Sequence, residues 1–339
     1  MLQLPYYLIF MAFKISSKSP FMYKILCPAC RSSHTMKNGK RKGVQLYVCR
    51  ECGYQFRNTR DVSDEQIWKA YSQNKQTITE LADHFHVSES TIKRKLRYVE
   101  KKWVQPPLSG SGFVNIDATY WGRNTGIIVA LDYASGKPIY LKSINHEHLA
   151  DYTDAVESIE SRGYVIKGIV LDGIRSLFDE WKEKYKLQMC QFHLKQLVRR
   201  YLTLNPRLLA ARDLKALVDG IVTYDEADFL AQYQAWKDKW KDTINRRSLS
   251  SITGKQHYTH KKLRTVMNSV DFYLPYLFTY QHEDCSGMPN TNNKIEGTFT
   301  DLKKNLNNHS GMSASSRDRF INGFFLALLD TPSINEKQE

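Results

Sequence analysis

Two pairs of cysteines constrain the fold of this chain more than any other feature of its sequence. Each pair has two residues between its members, and 18 residues separate the pairs. Each pair can lie on a tight turn that directs two thiolates at one tetrahedral zinc ion, and the spacer is long enough for a short hairpin. The ligands would be Cys27, Cys30, Cys49 and Cys52. The spacing therefore predicts a zinc ribbon over residues 23–60 with one structural Zn²⁺, because four thiolates leave no open position for a substrate.

The other interpretation of these cysteines is a set of four unligated structural residues. The sequence holds six cysteines, and four of them fall within 26 residues. Such clustering is typical of metal ligands and not of the disulfide framework of a secreted protein. We therefore expect the protein to be located in the reducing cytoplasm.

The beginning of the chain is apolar, but it does not have the pattern of a targeting signal. Leu2–Phe13 has no basic region before it, is too short to span a bilayer and leads into no small-residue cleavage site. We interpret residues 1–22 as a short appendage, with Met22 as an alternative start, and residues 331–339 as a tail. No other run is apolar enough to be transmembrane, so no membrane partner is expected.

Positive charge is concentrated at the front of the chain. Residues 1–110 carry 19 basic and 8 acidic side chains, a net of +11, whereas the remaining residues carry 30 basic and 27 acidic side chains, a net of +3. A basic front attached to a nearly neutral body indicates that the front binds a polyanion. A solvated basic surface is the alternative interpretation.

Helical periodicity begins after the predicted ribbon, and we assign residues 61–104 to a helix-turn-helix domain. Ser63 is a suitable N-cap for a helix over residues 64–74, and residues 79–88 are predicted to form a helix and a turn. A third helix over residues 89–103 completes the pattern. A plain three-helix bundle is the alternative.

The exposed start of the third helix offers side chains that can reach the base edges and phosphates of double-stranded DNA. These side chains are Ser90, Thr91, Lys93, Arg94 and Arg97. The segment that follows, residues 105–112, is rich in proline, glycine and serine and cannot continue a helix. We predict that it is a linker.

Beyond the linker the sequence alternates between strand and helix patterns, which predicts an α/β fold. The predicted strands are residues 113–118, 126–133, 137–144, 165–171 and 187–192. The predicted helices between them are residues 147–162 and 175–185. The order β-β-β-α-β-α-β with a mixed sheet is that of a ribonuclease H-like core, whose first part we place at residues 113–203.

In that topology the first and fourth strands are neighbours, so acidic residues at their carboxyl ends face each other. Asp117 is predicted to end the first strand and Asp172 the fourth. Two buried carboxylates repel each other unless a cation lies between them, and Mg²⁺ or Mn²⁺ fits such oxygen ligands. Two ions roughly 3.5–4 Å apart can activate a water or a 3′-hydroxyl and neutralise the leaving oxygen. Taken alone, either aspartate would be interpreted as a turn or cap residue.

The third carboxylate is predicted to be Glu296, near the start of a later helix. Its asparagine-rich surroundings favour it over three other acidic residues, Glu283, Asp284 and Asp301. Asp132 also ends a predicted strand, but a hairpin follows at once, so we interpret Asp132 as a turn former.

Four motifs of this sequence together resemble those of the DDE transposases of bacterial insertion sequences related to the Mutator superfamily. They are Asp117-Ala-Thr-Tyr120, Leu171-Asp-Gly173, Cys190-Gln-Phe-His193 and Thr291-Asn-Asn-Lys-Ile-Glu296. The resemblance covers roughly residues 113–329. The predicted zinc ribbon and helix-turn-helix resemble the front of a variant group of these enzymes.

The resemblance implies an all-helical insertion between the last core strand and the glutamate helix. Residues 204–285 fit this expectation, because their apolar positions have helical spacing over 208–222, 225–245 and 260–280. The core would resume over residues 286–330. Trp236 and Trp240 lie four apart on one helix face and are expected to belong to a hydrophobic core.

The resemblance also implies roles for individual residues. The three carboxylates would bind the catalytic metal ions. His193 would contact the scissile phosphate or nearby DNA, Cys190 would pack, and Asn293 would steady Glu296 or contact DNA. A buried cysteine and a helix-start histidine are the alternative for Cys190 and His193, and two ligands alone do not indicate a zinc site.

The sequence therefore predicts a transposase that binds terminal inverted repeats and catalyses metal-dependent end cleavage and strand transfer by in-line phosphoryl displacement. Synapsis of two ends predicts a dimer or larger homo-oligomer during the reaction, and DNA binding predicts association with the nucleoid. Two alternatives stay open. A zinc ribbon with a helix-turn-helix is also typical of a transcription regulator, and a metal-dependent nuclease or resolvase would cut DNA without joining it.

Overall fold

The computed structural model of the protein describes residues 25–41, 43–57, 63–74, 76–99, 101–250, 253–309 and 311–330. The predicted appendage with the alternative start Met22 and the predicted tail lie outside the described residues. Contacts divide the chain into two compact units, one ending at Ser63 and the other beginning at Asp64. Within the described ranges, no helix has the length and apolar character that crossing a bilayer requires.

The first unit is built on a three-stranded antiparallel sheet. Its strands are β1 (Thr35–Arg41), β2 (Val44–Cys49) and β3 (Gln55–Arg57), in the order β1-β2-β3. Tyr47 pairs with Phe56 across β2 and β3, and their ring centroids lie 6.0 Å apart, so aromatic contact holds the short sheet together. Each cysteine pair lies on a tight turn, closed by backbone hydrogen bonds to the carbonyls of Cys27 and Cys49.

Three helices begin the second unit: α1 (Asp64–Gln73), α2 (Ile78–Phe85) and α3 (Glu89–Tyr98). Thr77 caps α2 and forms a capping box with Glu80, while Ser88 caps α3, so local sequence fixes where both helices begin. Each helix buries one aliphatic side chain completely. These side chains are Ile67, Leu81 and Ile92.

The third helix is shorter than the sequence predicted, because it ends at Tyr98 and not at residue 103. A backbone carbonyl in its last turn has a partner outside the helix, since the guanidinium group of Arg319 donates a hydrogen bond to the carbonyl of Arg97 at 2.7 Å. The backbone N–H of Trp103 donates to the Oδ1 atom of Asn322 at 3.3 Å. A distant helix therefore provides the partners that further helical turns would have provided.

A five-stranded mixed sheet forms the centre of the second unit. Its strands are β4 (Ser111–Tyr120), β5 (Gly126–Asp132), β6 (Pro138–Ile144), β7 (Val165–Leu171) and β8 (Leu187–Met189). The spatial order is β6-β5-β4-β7-β8, with β4, β5 and β6 antiparallel and the pairs β4–β7 and β7–β8 parallel. The predicted α/β class is confirmed, and β4 lies in the middle of the sheet.

Three strand ends differ by two residues or more from those predicted. β4 begins at Ser111, inside the predicted linker, because Ser111 pairs with Val165 of β7. It continues to Tyr120, because β5 runs beside it as far as Gly126. β8 ends at Met189 and not at residue 192, because a helix begins two residues later.

Helices cover the sheet and share one hydrophobic core with it. They are α4 (Leu149–Ser161), α5 (Arg175–Trp181) and α6 (Gln191–Leu202). Fully buried side chains from both layers form this core, among them Val114, Ile128, Ile169, Ile159, Phe178 and Leu194.

The segment predicted as an all-helical insertion contains four helices and, contrary to that prediction, a hairpin. Its helices are α7 (Leu209–Asp219), α8 (Glu226–Lys239), α9 (Lys241–Asn245) and α10 (Lys261–Tyr273), with short 3₁₀ turns between and after them. The hairpin pairs β9 (Arg247–Leu249) with β10 (Gln256–Tyr258). The guanidinium group of Arg247 lies 4.6 Å from the ring centroid of Tyr258, which stabilises strands too short to give a periodic sequence pattern.

The two tryptophans of the insertion pack as predicted. Trp236 is buried, and its indole N–H donates to the carbonyl of Ala210 at 2.9 Å. Trp240 is partly buried against the same core and donates to Asp213 at 2.9 Å. Both side chains therefore hold α8 against α7.

The last two helices, α11 (Asn293–Asn308) and α12 (Ala314–Leu329), connect the sheet to the three amino-terminal helices. Trp68 of α1 packs so closely on Gly323 of α12 that a Cβ atom at position 323 would lie 2.2 Å from the indole ring. Tyr71 stacks on buried His309 with ring centroids 4.0 Å apart. The predicted helix-turn-helix is thus packed against the last helix of its own unit.

Candidate active site

Two aspartates lie side by side at the carboxyl end of the parallel strand pair. The parallel register of β4 and β7 runs to Asn115 opposite Val170, and Asp117 and Asp172 each follow two residues later. Asp172 comes directly after β7, as predicted. Asp117 lies inside β4 and not at its end, because its antiparallel pairing with Val129 of β5 continues the strand.

Burial and mutual repulsion both act on these carboxyl groups. Burial raises the pKa of Asp117 well above its usual range, and the nearby charges of Asp172, Glu147 and Glu296 raise it further. Burial, followed by the charge of Glu147, raises the pKa of Asp172 to about 6. Only one hydrogen bond partly offsets this for Asp117, from the Ala118 N–H at 2.8 Å.

Glu296 lies in the first turn of α11, and the structure shows how that turn is held against β4. The fully buried side chain of Asn115, two residues before Asp117, donates to Oδ1 of Asn292 at 2.6 Å. Asn292 is the N-cap residue of α11. This contact between two buried amides brings the glutamate to the two aspartates.

Asn292, and not the predicted Asn293, makes the contact that positions the glutamate. Asn293 begins α11 with an exposed side chain. A DNA contact by Asn293 stays a prediction. The sequence could not distinguish the two asparagines, because the buried partner Asn115 lies 177 positions away along the chain.

The turn between β8 and α6 is joined to the same region. The Asn292 N–H donates to the sulfur of Cys190 at 3.3 Å, and the Gln191 N–H donates to the carbonyl of Asn290 at 3.0 Å. Cys190 is fully buried, and burial raises the pKa of its thiol to about 11.

His193 approaches the glutamate from the first turn of α6. Its Nε2 atom lies 3.5 Å from Oε1 of Glu296. Burial lowers the pKa of His193, and the charge of Glu296 opposes that shift. The imidazole is therefore beside the carboxylate of Glu296.

Glu147 is an acidic residue of this region that the sequence analysis did not select. It lies between β6 and α4, and its carboxylate accepts a hydrogen bond from the buried hydroxyl of Tyr152. Its charge raises the pKa of both Asp117 and Asp172. The available signal is its position three residues after the third strand, at the start of the helix predicted over residues 147–162.

Asp132, by contrast, has the turn role that the sequence predicted. Its carboxylate accepts hydrogen bonds from the N–H of Ser135 at 2.8 Å and from the hydroxyl of Tyr164 at 2.5 Å. Among the alternatives to Glu296, Asp284 forms an ion pair with Lys186 at 2.7 Å.

The chemistry of the carboxylates fits divalent cations such as Mg²⁺. Buried acids with raised pKa values are costly to ionise without a cation, and Oε1 of Glu296 is buried with no hydrogen-bond partner among the described residues. Among the described residues, the carboxylate oxygens of Asp117, Asp172 and Glu296 do not form a group in which all ligand atoms lie within 4.8 Å of one another. Ligands shared between two ions roughly 3.5–4 Å apart need not be that close.

The four cysteines of the first unit form a group that could hold zinc. Their sulfur atoms all lie within 4.8 Å of one another, with Cys27 and Cys52 3.6 Å apart and Cys30 and Cys49 3.5 Å apart. Zn–S bonds of about 2.3 Å in tetrahedral geometry place sulfurs roughly 3.8 Å apart. The sulfur positions therefore match a structural zinc site.

The five residues of the predicted helix-turn-helix that were expected to contact DNA all lie on α3. Ser90, Lys93, Arg94 and Arg97 are exposed, whereas Thr91 is half-buried beside the N-cap. Lys93 also pairs with Glu89 at 3.3 Å within the helix. Their contact with DNA stays a prediction.

Comparisons with known proteins do not identify a family for this chain. A scan against protein-family models finds no match, and neither does a search of curated proteins. Among solved structures, the chain is similar to the Drosophila P element transposase strand transfer complex, with 11% identity over 79% of this chain and 80% of that chain and a TM-score of 0.30. A similarity at that TM-score supports neither a shared fold nor a shared activity.

Proposed function

We propose that this chain is a DDE-type DNA transposase of an insertion sequence, belonging to the Mutator-like superfamily and built on a ribonuclease H-like core. The observation that carries the proposal is the juxtaposition of Asp117 and Asp172 on parallel neighbours β4 and β7, with Glu296 held beside them through Asn115 and Asn292. The strand order β6-β5-β4-β7-β8 supports it, because it is the order expected of such a core.

In this proposal the three carboxylates hold two Mg²⁺ or Mn²⁺ ions, which supply charge neutralisation and activation of the nucleophile when bound. His193, 3.5 Å from Glu296, lies within reach of the scissile phosphate or nearby DNA. The site therefore provides positioning and electrostatics, which is what in-line phosphoryl transfer requires.

The reaction would consist of two in-line displacements without a covalent protein–DNA intermediate. In the first, a water oxygen attacks the phosphorus at the transposon end, and the bond from phosphorus to the 3′-oxygen of that end breaks. In the second, the freed 3′-hydroxyl attacks a phosphorus of target DNA, and a target 3′-oxygen leaves. Both steps take place on double-stranded DNA held by the protein.

The front of the chain would bind the terminal inverted repeats. Exposed basic side chains on α3 and the net charge of +11 on residues 1–110 support this role. Synapsis of two ends calls for a dimer or larger homo-oligomer during the reaction. The protein would work in the cytoplasm, associated with the nucleoid.

Incubating the protein with labelled DNA from the ends of its own element, target plasmid and Mg²⁺ tests the proposal. Wild-type protein should yield joined products, and Asp172→Asn should abolish cleavage while end binding is retained. Asp238→Asn, an exposed aspartate on α8, is the matched control and should stay active. Cleavage by the Asp172→Asn variant would refute the assignment.

The same assay separates the two other functions. Cut products without joining would identify a nuclease or resolvase. Binding without any cut product would favour a transcription regulator with an inactive body.

A further inference from the structure

A second group of potential metal ligands lies beside the carboxylates and differs from them in chemistry. Ligand atoms of Cys190, His193 and Glu296 all lie within 4.8 Å of one another. Within this group, Nε2 of His193 lies 3.5 Å from Oε1 of Glu296. Bonds of about 2.0–2.3 Å in tetrahedral geometry place ligand atoms roughly 3.3–3.8 Å apart.

The backbone fixes the geometry of this group before any ion binds. The Cys190 N–H donates to the carbonyl of Leu171 at 2.8 Å, so the cysteine continues the parallel pairing of β8 with β7. The sulfur accepts the Asn292 N–H at 3.3 Å, four residues before the glutamate. The three side chains therefore come from two helix starts that are bonded to each other.

Two atoms of the group are buried without a hydrogen-bond partner among the described residues. They are Oε1 of Glu296 and Nδ1 of His193. Buried polar atoms are rarely left unpaired, and a cation bound to the carboxylate oxygen would compensate for its loss of water. Cys190 is fully buried as well, so an ion there would be enclosed by protein on the sulfur side.

A thiolate, an imidazole and a carboxylate together select a borderline-soft cation. Mg²⁺ prefers oxygen ligands, whereas zinc accepts sulfur, nitrogen and oxygen in one tetrahedral site. The thiolate and carboxylate carry two negative charges, which balance a divalent ion. Three protein ligands leave one position vacant, as in zinc sites that bind water or a substrate oxygen.

We propose that Cys190, His193 and Glu296 bind a second zinc ion, with the fourth position open to water or to a phosphate oxygen. This binding does not depend on the proposed transposase activity. Its consequence for catalysis does rest on that function: zinc would occupy Glu296, which Mg²⁺ also needs, so zinc would inhibit cleavage in competition with Mg²⁺.

Metal content of the full-length protein tests the proposal without DNA or Mg²⁺. After equilibrium dialysis against micromolar free Zn²⁺, elemental analysis should find two zinc ions per chain, one of them at the four cysteines. Cys190→Ser and His193→Asn should each reduce the content to one. Replacing zinc by Co²⁺ should give absorption bands of a second tetrahedral site, and these bands should disappear in both variants.

Matched controls isolate the three ligands. Cys285 is another fully buried cysteine in the same small apolar cluster as Cys190, and His146 is an exposed histidine near the start of α4. Cys285→Ser and His146→Asn should both keep two zinc ions, as should Asp172→Asn. The last variant makes failure of the two proposals distinguishable, because it removes the proposed catalysis but no zinc ligand.

One zinc ion per wild-type chain would overturn the proposal, and this measurement does not depend on any variant being folded. Equal zinc loss in Cys285→Ser or His146→Asn would overturn it as well. Retention of the second ion in both Cys190→Ser and His193→Asn would show that it binds elsewhere.

Discussion

Glu147 adds a fourth negative charge to the three carboxylates that the sequence indicated. Its carboxylate is fixed by the buried hydroxyl of Tyr152 and is the largest cause, after burial, of the raised pKa of Asp172. The charge of Glu147 therefore affects the protonation of Asp172, a proposed metal ligand. Glu147 is therefore a candidate for setting the pH range in which the site can work.

Replacing Glu147 by Gln should shift the pH dependence of Mg²⁺-dependent end cleavage. Glutamine keeps the shape and still accepts the Tyr152 hydrogen bond, but it removes the charge that raises the pKa of Asp172. The acidic limb of the rate profile should move down by up to about one pH unit. Glu157→Gln, on the exposed face of α4, is the control and should leave the profile unchanged. An unaltered profile in Glu147→Gln would contradict this role.

Asp172 should destabilise the metal-free protein at neutral pH. Its folded-state pKa of about 6 lies above the usual 3.8, so folding favours the protonated form. Stability from this group is greatest below pH 3.8, where the carboxyl is protonated in both states, and is lost as pH rises through about 6.

Asp172→Asn should therefore raise the free energy of unfolding at pH 7.5 by on the order of 2 kcal/mol, with little effect near pH 4. Urea unfolding without added Mg²⁺, with zinc retained, measures the difference. Adding Mg²⁺ should stabilise the wild type more than the variant. A variant less stable than the wild type at pH 7.5 would contradict the burial of an uncompensated charge.

At the scale of elements, a pair of buried amides contributes to holding the start of α11 against β4. Asn292→Ala would leave the side-chain amide of Asn115 buried without its 2.6 Å partner. Such a loss typically costs about 1–3 kcal/mol. Urea unfolding should show this decrease, whereas Asn293→Ala, at the exposed neighbouring position, should stay within about 0.5 kcal/mol of wild type. Equal effects of the two substitutions would argue against the buried pair as the anchor of this helix.

The elements show which parts of the fold can be predicted from the sequence. β7 ends in the buried apolar run Ile169-Val-Leu171, so the end of the strand at Leu171 and the position of Asp172 after it follow from local pattern. The end of α3 did not, because Arg319 provides a partner from 222 positions away. The hairpin of β9 and β10 was missed because three-residue strands carry no usable periodicity.

Some residues of the candidate site can likewise be predicted from the sequence, and others cannot. Strand order and motif selected Asp117, Asp172 and Glu296, and the structure brings their charges close enough to affect one another. Glu147 and Asn292 were not selected, because each acts through a contact that only the folded chain creates. Local sequence therefore indicates which groups carry the chemistry, while tertiary contacts determine which groups position them.

At the scale of the whole molecule, the division of contacts at Ser63 leads us to expect that the first unit folds by itself and depends on zinc. Its described residues form a three-stranded sheet, and their apolar contacts include the stacking of Tyr47 on Phe56. Structural zinc supplies on the order of 10 kcal/mol of folding free energy to such small domains. Without the metal, so small a core would not compensate for the entropy of ordering the chain.

Cys30→Ser should therefore abolish hydrogen-exchange protection in residues 25–57 and leave protection of the five-stranded sheet unchanged. Peptide-level exchange measured by mass spectrometry resolves the two units, and elemental analysis should show that zinc at the four cysteines is lost. Asn38→Ser, an exposed change in β1 of the same unit, should preserve protection in both. Loss of protection across the sheet in Cys30→Ser would show that the units fold together, whereas retained protection in the first unit would show that the cysteines stabilise it without zinc.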